Sequence, residues 1–142
     1  MEDRAIVMLL RLLEQRKERA AIVSRRAQQD FLKAQSFSQQ VDAYAREYDQ
    51  NWSRSVVHGD QVAQLQTQAA FTNRLQATAE EQRQEARALE QESLRALTKV
   101  MQESDRAQAV RQWLARQKAQ KNAELARREE RQLEDIIQAR FR

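Results

Sequence analysis

The chain has 142 residues with no proline, no cysteine and one glycine, Gly59, and its 25 basic and 21 acidic side chains leave a net charge of +4. No cysteine means no disulfide, no thiolate chemistry and no cysteine zinc site. A charge this small and this well mixed also argues against the concentrated cationic face of a dedicated nucleic-acid binder.

Charged residues make up 32% of the chain and aromatics 6%. That leaves little apolar matter for a globular core, but it suits two long helices packed on each other along a narrow stripe. Proline and glycine are the residues that interrupt helices, and they are almost missing. Regular apolar spacing and many strong helix formers oppose the competing reading of disorder. The expected fold class is all-α: a long antiparallel two-helix coiled coil, with the second helix longer than the first.

The first arm is expected to be helical over about 3–53. Its apolar run from Ala5 to Leu13 is broken by Arg11 and preceded by Glu2 and Asp3. It is too short for a membrane span and lacks the basic lead of a signal peptide. It reads as the start of a coiled-coil helix. A heptad frame with position a at Ile6 places Leu13, Ala20, Ala27, Ala34, Val41 and Tyr48 at the later a positions. The d positions are then Leu9, Arg16, Val23, Asp30, Phe37, Tyr44 and Asn51. Eleven of these fourteen positions suit burial, a period that polar sequence does not hold by accident.

A bend is expected at about 54–60, around Ser-Arg-Ser-Val-Val-His-Gly from Ser53 to Gly59. A short connection makes the two arms antiparallel neighbours. Asp60 is a suitable N-cap for a second helix over about 61–140. In that helix one frame gives a positions Leu65, Thr72, Ala79, Ala86, Ser93, Val100, Ala107 and Leu114. Its d positions are Leu75, Gln82, Leu89, Ala96, Glu103 and Val110. Small residues let helices approach closely while burying little area, at about 25 cal/mol per Å². Folding at the bend brings Tyr48 towards Phe71, Tyr44 towards Leu75, and Ile6 towards Gln112 or Trp113. Past Leu114 the frame meets Lys121, Arg128 and Asp135, so the stripe stops where the partner arm runs out. The overhanging segment, 115–142, would span about 42 Å as a helix.

Nothing in the chain suggests an enzyme, a metal site or a cofactor. The single histidine, His58, sits beside the bend glycine and reads as a turn residue rather than a general base. Glu80–Glu81 and Glu129–Glu130 are adjacent on a helix, so each pair diverges like solvated surface. One glycine cannot build a phosphate-binding loop.

Two clusters suggest binding. In the overhang, Arg127, Arg128 and Arg131 are interleaved with acids, which by itself fits a solubilising face. Leu125, Leu133, Ile136, Ile137 and Phe141, however, have no partner within a hairpin, and apolar groups left at helical spacing await another protein. Near the bend, Phe37, Val41, Tyr44, Tyr48, Trp52, Phe71 and Leu75 gather most of the scarce aromatics. Closure packing accounts for part of this set, and the tyrosines also suit an interaction patch.

The pattern Val41-x-x-Tyr44-x-x-Glu47-Tyr48, a glycine-containing bend, then Phe71-x-x-x-Leu75, with an arginine- and glutamate-rich end around Ala126 to Glu134, resembles the flagellar export protein family FliJ. The resemblance spans nearly the whole chain, and its motifs are degenerate, as coiled-coil motifs are. It implies a non-enzymatic antiparallel coiled coil similar to the central stalk of rotary ATP synthases, in the cytoplasm and peripherally associated with the inner membrane at the flagellar base. It implies three partners: a hexameric export ATPase (FliI-like), the cytoplasmic domain of an export-gate protein (FlhA-like), and export chaperones. The gate-binding patch carried over is Val41, Tyr44, Tyr48, Phe71 and Leu75. Phe37, Thr78 and Gln82 lie beside it but depart from the family's usual residues. The ATPase-binding tail comprises Leu125, Arg127, Arg128, Arg131, Leu133, Ile136, Ile137 and Phe141.

The rival readings are a generic coiled-coil scaffold, the equivalent stalk protein of a virulence secretion system, and nucleic-acid binding through the arginine-rich end. The near-neutral charge disfavours the last of these.

Overall fold

The computed structural model describes residues 2–56 and 62–141. They form two helices, α1 (Glu2–Val56, 55 residues) and α2 (Val62–Arg140, 79 residues), with no strand among the described residues. The two pack against each other as an antiparallel hairpin, with α2 the longer. Residues 54–56, expected in the bend, continue α1. His58, Gly59 and Asp60 lie outside the described residues.

Internal contacts group the chain into two units, Met1–Arg19 with Met101–Arg142 (unit 1) and Ala20–Val100 (unit 2). In unit 1, Leu13, Glu103 and Ala107 are buried; in unit 2, Ala20, Ser38, Ala79 and Ala86 are. The buried set is dominated by small side chains, and no large side chain is fully buried among the described residues. Such a core keeps the helices close and stabilises through many slight contacts rather than a few large ones. Ion pairs tie the helices in each unit. Arg111 Nε donates to Glu14 at 2.8 Å in unit 1, and Arg83 Nε lies 3.8 Å from Asp42 in unit 2. Each pair is partly exposed, so it contributes about 1 kcal/mol or less. The two pairs are four heptads apart on both helices, so one antiparallel register serves each unit.

The frame expected for α2 matches the pattern of burial. Every a and d residue named above, from Leu65 to Leu114, is buried or half-buried, and Gln68 and Gln117 extend the series at each end. The frame for α1 needs a correction. Its a residues, Ile6 to Tyr48, do face α2, but the expected d residues Leu9, Arg16, Val23, Asp30, Phe37, Tyr44 and Asn51 are all exposed. The other half of the stripe is Leu10, Lys17, Ser24, Phe31, Ser38, Ala45 and Trp52, one position further along. At several of these steps a large apolar residue stands next to a small one: Val23 beside Ser24, Phe37 beside Ser38, Tyr44 beside Ala45. Helices lined by alanine and serine approach too closely to admit the larger neighbour, so the smaller is buried and the larger is left outside.

Candidate interaction surfaces

The shift in α1 decides what the bend-side patch in unit 2 is made of. Val41, Tyr48 and Leu75 belong to the helix–helix stripe and are half-buried. Tyr44 is 53% exposed and Phe71 41%. The rings of Tyr48 and Phe71 meet across the hairpin, with centroids 4.7 Å apart and planes tilted by 58°. This tilted contact suits the ring quadrupoles and fixes the Phe71 ring without hiding it. Tyr48 thereby serves both helix closure and the surface, as a support under the exposed Phe71.

Phe37 lies two turns before Tyr44 on the same face of α1 and is half exposed, so Phe37 and Tyr44 form an apolar ridge. Of the neighbouring residues, Thr78 is exposed and its hydroxyl donates to the Arg74 carbonyl at 2.9 Å, whereas Gln82 belongs to the stripe. Beside Phe71, a shallow groove is lined by Gln66, Thr67, Ala70 and Arg74. Another hollow in unit 2 is mixed, lined by Asp42, Arg46, Asp49, Gln76 and Arg83 together with Ala45 and Ala79. Within it Arg83 lies 3.8 Å from Asp42, and it also lies 3.3 Å from Glu80 on its own helix.

In unit 1 the end of α2 is the second surface. Every residue from Lys118 to Phe141 is exposed. Leu125, Leu133 and Ile136 are each more than half exposed, Ile137 nearly half, and Phe141 almost fully. Arg127, Arg128 and Arg131 have no carboxylate within 4.0 Å among the described residues, so they remain available to an anionic partner. Continuing the α2 heptad puts Lys121, Glu124, Arg128, Arg131, Asp135 and Gln138 on the former stripe, all of them polar. The apolar residues Leu133, Ile136 and Ile137 fall on a different face of the helix. A longer first helix following the same register would therefore leave them uncovered.

Sequence reasoning missed one surface. Ile6 and Leu9 of α1 and Ala109, Val110 and Trp113 of α2 line an apolar groove in unit 1. The signal was the Ala5–Leu13 run, apolar except for Arg11 and so wider than one helix face, which a two-helix stripe cannot fully bury.

No group of three or more histidine, cysteine, aspartate or glutamate side chains is placed to hold a metal ion among the described residues. No described helix is long and apolar enough to cross a membrane. Over residues 2–142 the chain matches the family model described as the flagellar FliJ protein. It belongs to the FliJ family. No curated protein and no solved structure matches it. Membership of the FliJ family gives the chain a role connected with flagellar protein export, as a non-enzymatic helical component of that apparatus.

Proposed function

We propose that this FliJ-family chain is a stalk or adaptor that links the export ATPase ring to the export gate and assists the handling of chaperones and their cargo. The observation that carries this reading is a division of exposed apolar surface. Unit 1 bears an unpartnered helical tail with free arginines, and unit 2 bears an aromatic ridge. Two such surfaces of different chemistry suit two partners.

In this reading the tail enters the ATPase ring through Leu125, Leu133, Ile136, Ile137 and Phe141. Arg127, Arg128 and Arg131 meet carboxylates of the ring. Tyr44 and Phe71 dock on the cytoplasmic domain of the gate, supported by Val41, Tyr48 and Leu75. The protein itself transfers no group. It works by binding two machines at once, in the cytoplasm and against the inner membrane at the flagellar base. Truncation after Leu114 tests the tail assignment. The shortened chain should keep a helical circular dichroism spectrum and lose co-purification with the ATPase. Undiminished association of a folded truncation would contradict the assignment.

A further inference from the structure

Each side of the helix–helix stripe carries a single charged residue. From Ile6 to Trp52 the stripe of α1 contains Lys17 alone, and from Leu65 to Gln117 the stripe of α2 contains Glu103 alone. Both belong to unit 1. The Glu14–Arg111 ion pair flanks the stripe in that unit. In an antiparallel coil such a pair stands beside the layers formed by the stripe residues that precede its members, here Leu10 against Val110 and Leu13 against Ala107. One heptad on from Leu10 is Lys17, and one heptad back from Val110 is Glu103. The next layer therefore sets Lys17 against Glu103, so the two lone charges of the stripe meet with opposite sign. Glu103 is buried, with one carboxylate oxygen 3.5 Å from Arg106 and Oε2 without a partner. Lys17 is half-buried, and no carboxylate lies within 4.0 Å of it among the described residues.

We propose that the Lys17–Glu103 layer is a register lock, selecting one alignment of α1 on α2. Antiparallel helices slip by whole heptads, because only such steps return stripe residues to stripe positions. Small residues do not resist this: one slip sets Ala34 against Ala79 in place of Ala86. The flanking ion pairs, Glu14–Arg111 and Asp42–Arg83, are partly exposed and stabilise weakly. The charged layer resists slip in both directions. One heptad one way puts Lys17 against Val110, and one heptad the other way puts Glu103 against Leu10. Either move parts the two charges and leaves each facing stripe residues that cannot neutralise it. A polar layer of this kind specifies alignment while lowering stability, which accounts for a carboxylate in an otherwise uncharged stripe. The alignment also sets where α2 runs out of partner. One slip would set Ile6 against Lys121, and the other would leave Leu114 past the end of α1. This inference does not depend on the stalk reading.

Spin labels read the register directly. The chain has no cysteine, so Gln15→Cys with Gln120→Cys in the full-length protein puts one label on each helix, at exposed positions of unit 1. One heptad of slip displaces the labels by about 10 Å along the helix axis. The labelled protein, diluted into unlabelled protein so that only distances within one chain are read, should give a single distance. Adding Lys17→Leu with Glu103→Leu should keep the helicity, leave the thermal midpoint no lower, and bring in a second distance. Lys17→Glu, which sets two carboxylates in the layer, should also bring in a second distance. Combining it with Glu103→Lys reverses the pair and should restore the single distance, which separates a need for opposite charges from a need for the native side-chain shapes. Three results would each overturn the proposal: a single distance in the folded leucine variant, a single distance in Lys17→Glu, or two distances in the reversed pair. Should the leucine variant lose its helicity, Lys17→Glu and the reversed pair decide the matter by themselves.

Discussion

Glu103 is an unusual occupant of a helix–helix stripe. Its residue is 7% exposed, one carboxylate oxygen lies 3.5 Å from Arg106, and the other, Oε2, has no hydrogen-bond partner. A buried polar atom without a partner costs about 1–3 kcal/mol. Glu103→Leu should therefore raise stability, by roughly 1 kcal/mol once the loss of the Arg106 contact is counted. Thermal unfolding of the two proteins measures it, and a lower midpoint for the variant would contradict the account. Gln68 Oε1 and Thr72 Oγ1 in unit 2 are buried orphans of the same kind. Tyr48 was legible in the sequence as both a stripe residue and a patch residue, because its heptad position and its residue type point to the two roles separately. Glu103 was legible only as a stripe position. Its missing partner depends on side-chain placement, which no spacing rule contains.

Spacing in α2 was read correctly because alanine, leucine and valine recur at its contact positions in one frame, even though the larger Phe71, Leu94 and Leu97 stand beside Thr72, Ser93 and Ala96 and are left exposed. In α1 the reading failed at half of the positions: at Asp30 and Asn51 it passed over the larger neighbours Phe31 and Trp52, and at two others hydrophobicity favoured Phe37 over Ser38 and Tyr44 over Ala45. Close packing reversed the preference, and residues expected inside became exposed surface. Two substitutions separate the frames. Phe31 is half-buried in the stripe, so Phe31→Ala should destabilise by about 2–4 kcal/mol. Phe37 is half exposed, so Phe37→Ala should change stability by no more than about 0.5 kcal/mol. Equal losses in a denaturant titration would restore the original frame. The end of α2 was legible from the loss of its stripe after Leu114. The approach of Ile6 to Trp113 was legible too, but the groove they line with Leu9 was not, because an apolar run broken only by Arg11 says that burial is needed without saying which face the partner helix leaves open.

For the molecule as a whole, the family and the hairpin fit a component that works through surfaces rather than chemistry. Length, the absence of prolines and the single glycine made the two-helix architecture readable before any coordinates. What they could not supply was the distribution of exposed side chains, which arises only when the helices choose which residues to cover. Each unit exposes its own set of side chains: isoleucine, leucine and arginine on the tail, aromatics on the ridge. If these surfaces serve separate partners, each can be disabled alone.

The most direct measurement is a pair of double variants titrated against the export ATPase and the cytoplasmic gate domain. Leu133→Ala with Ile137→Ala should weaken ATPase binding at least tenfold and leave gate binding within twofold. Tyr44→Ala with Phe71→Ala should do the reverse. Loss of both partners in either folded variant, or of neither in both, would contradict the assignment of one surface to each partner.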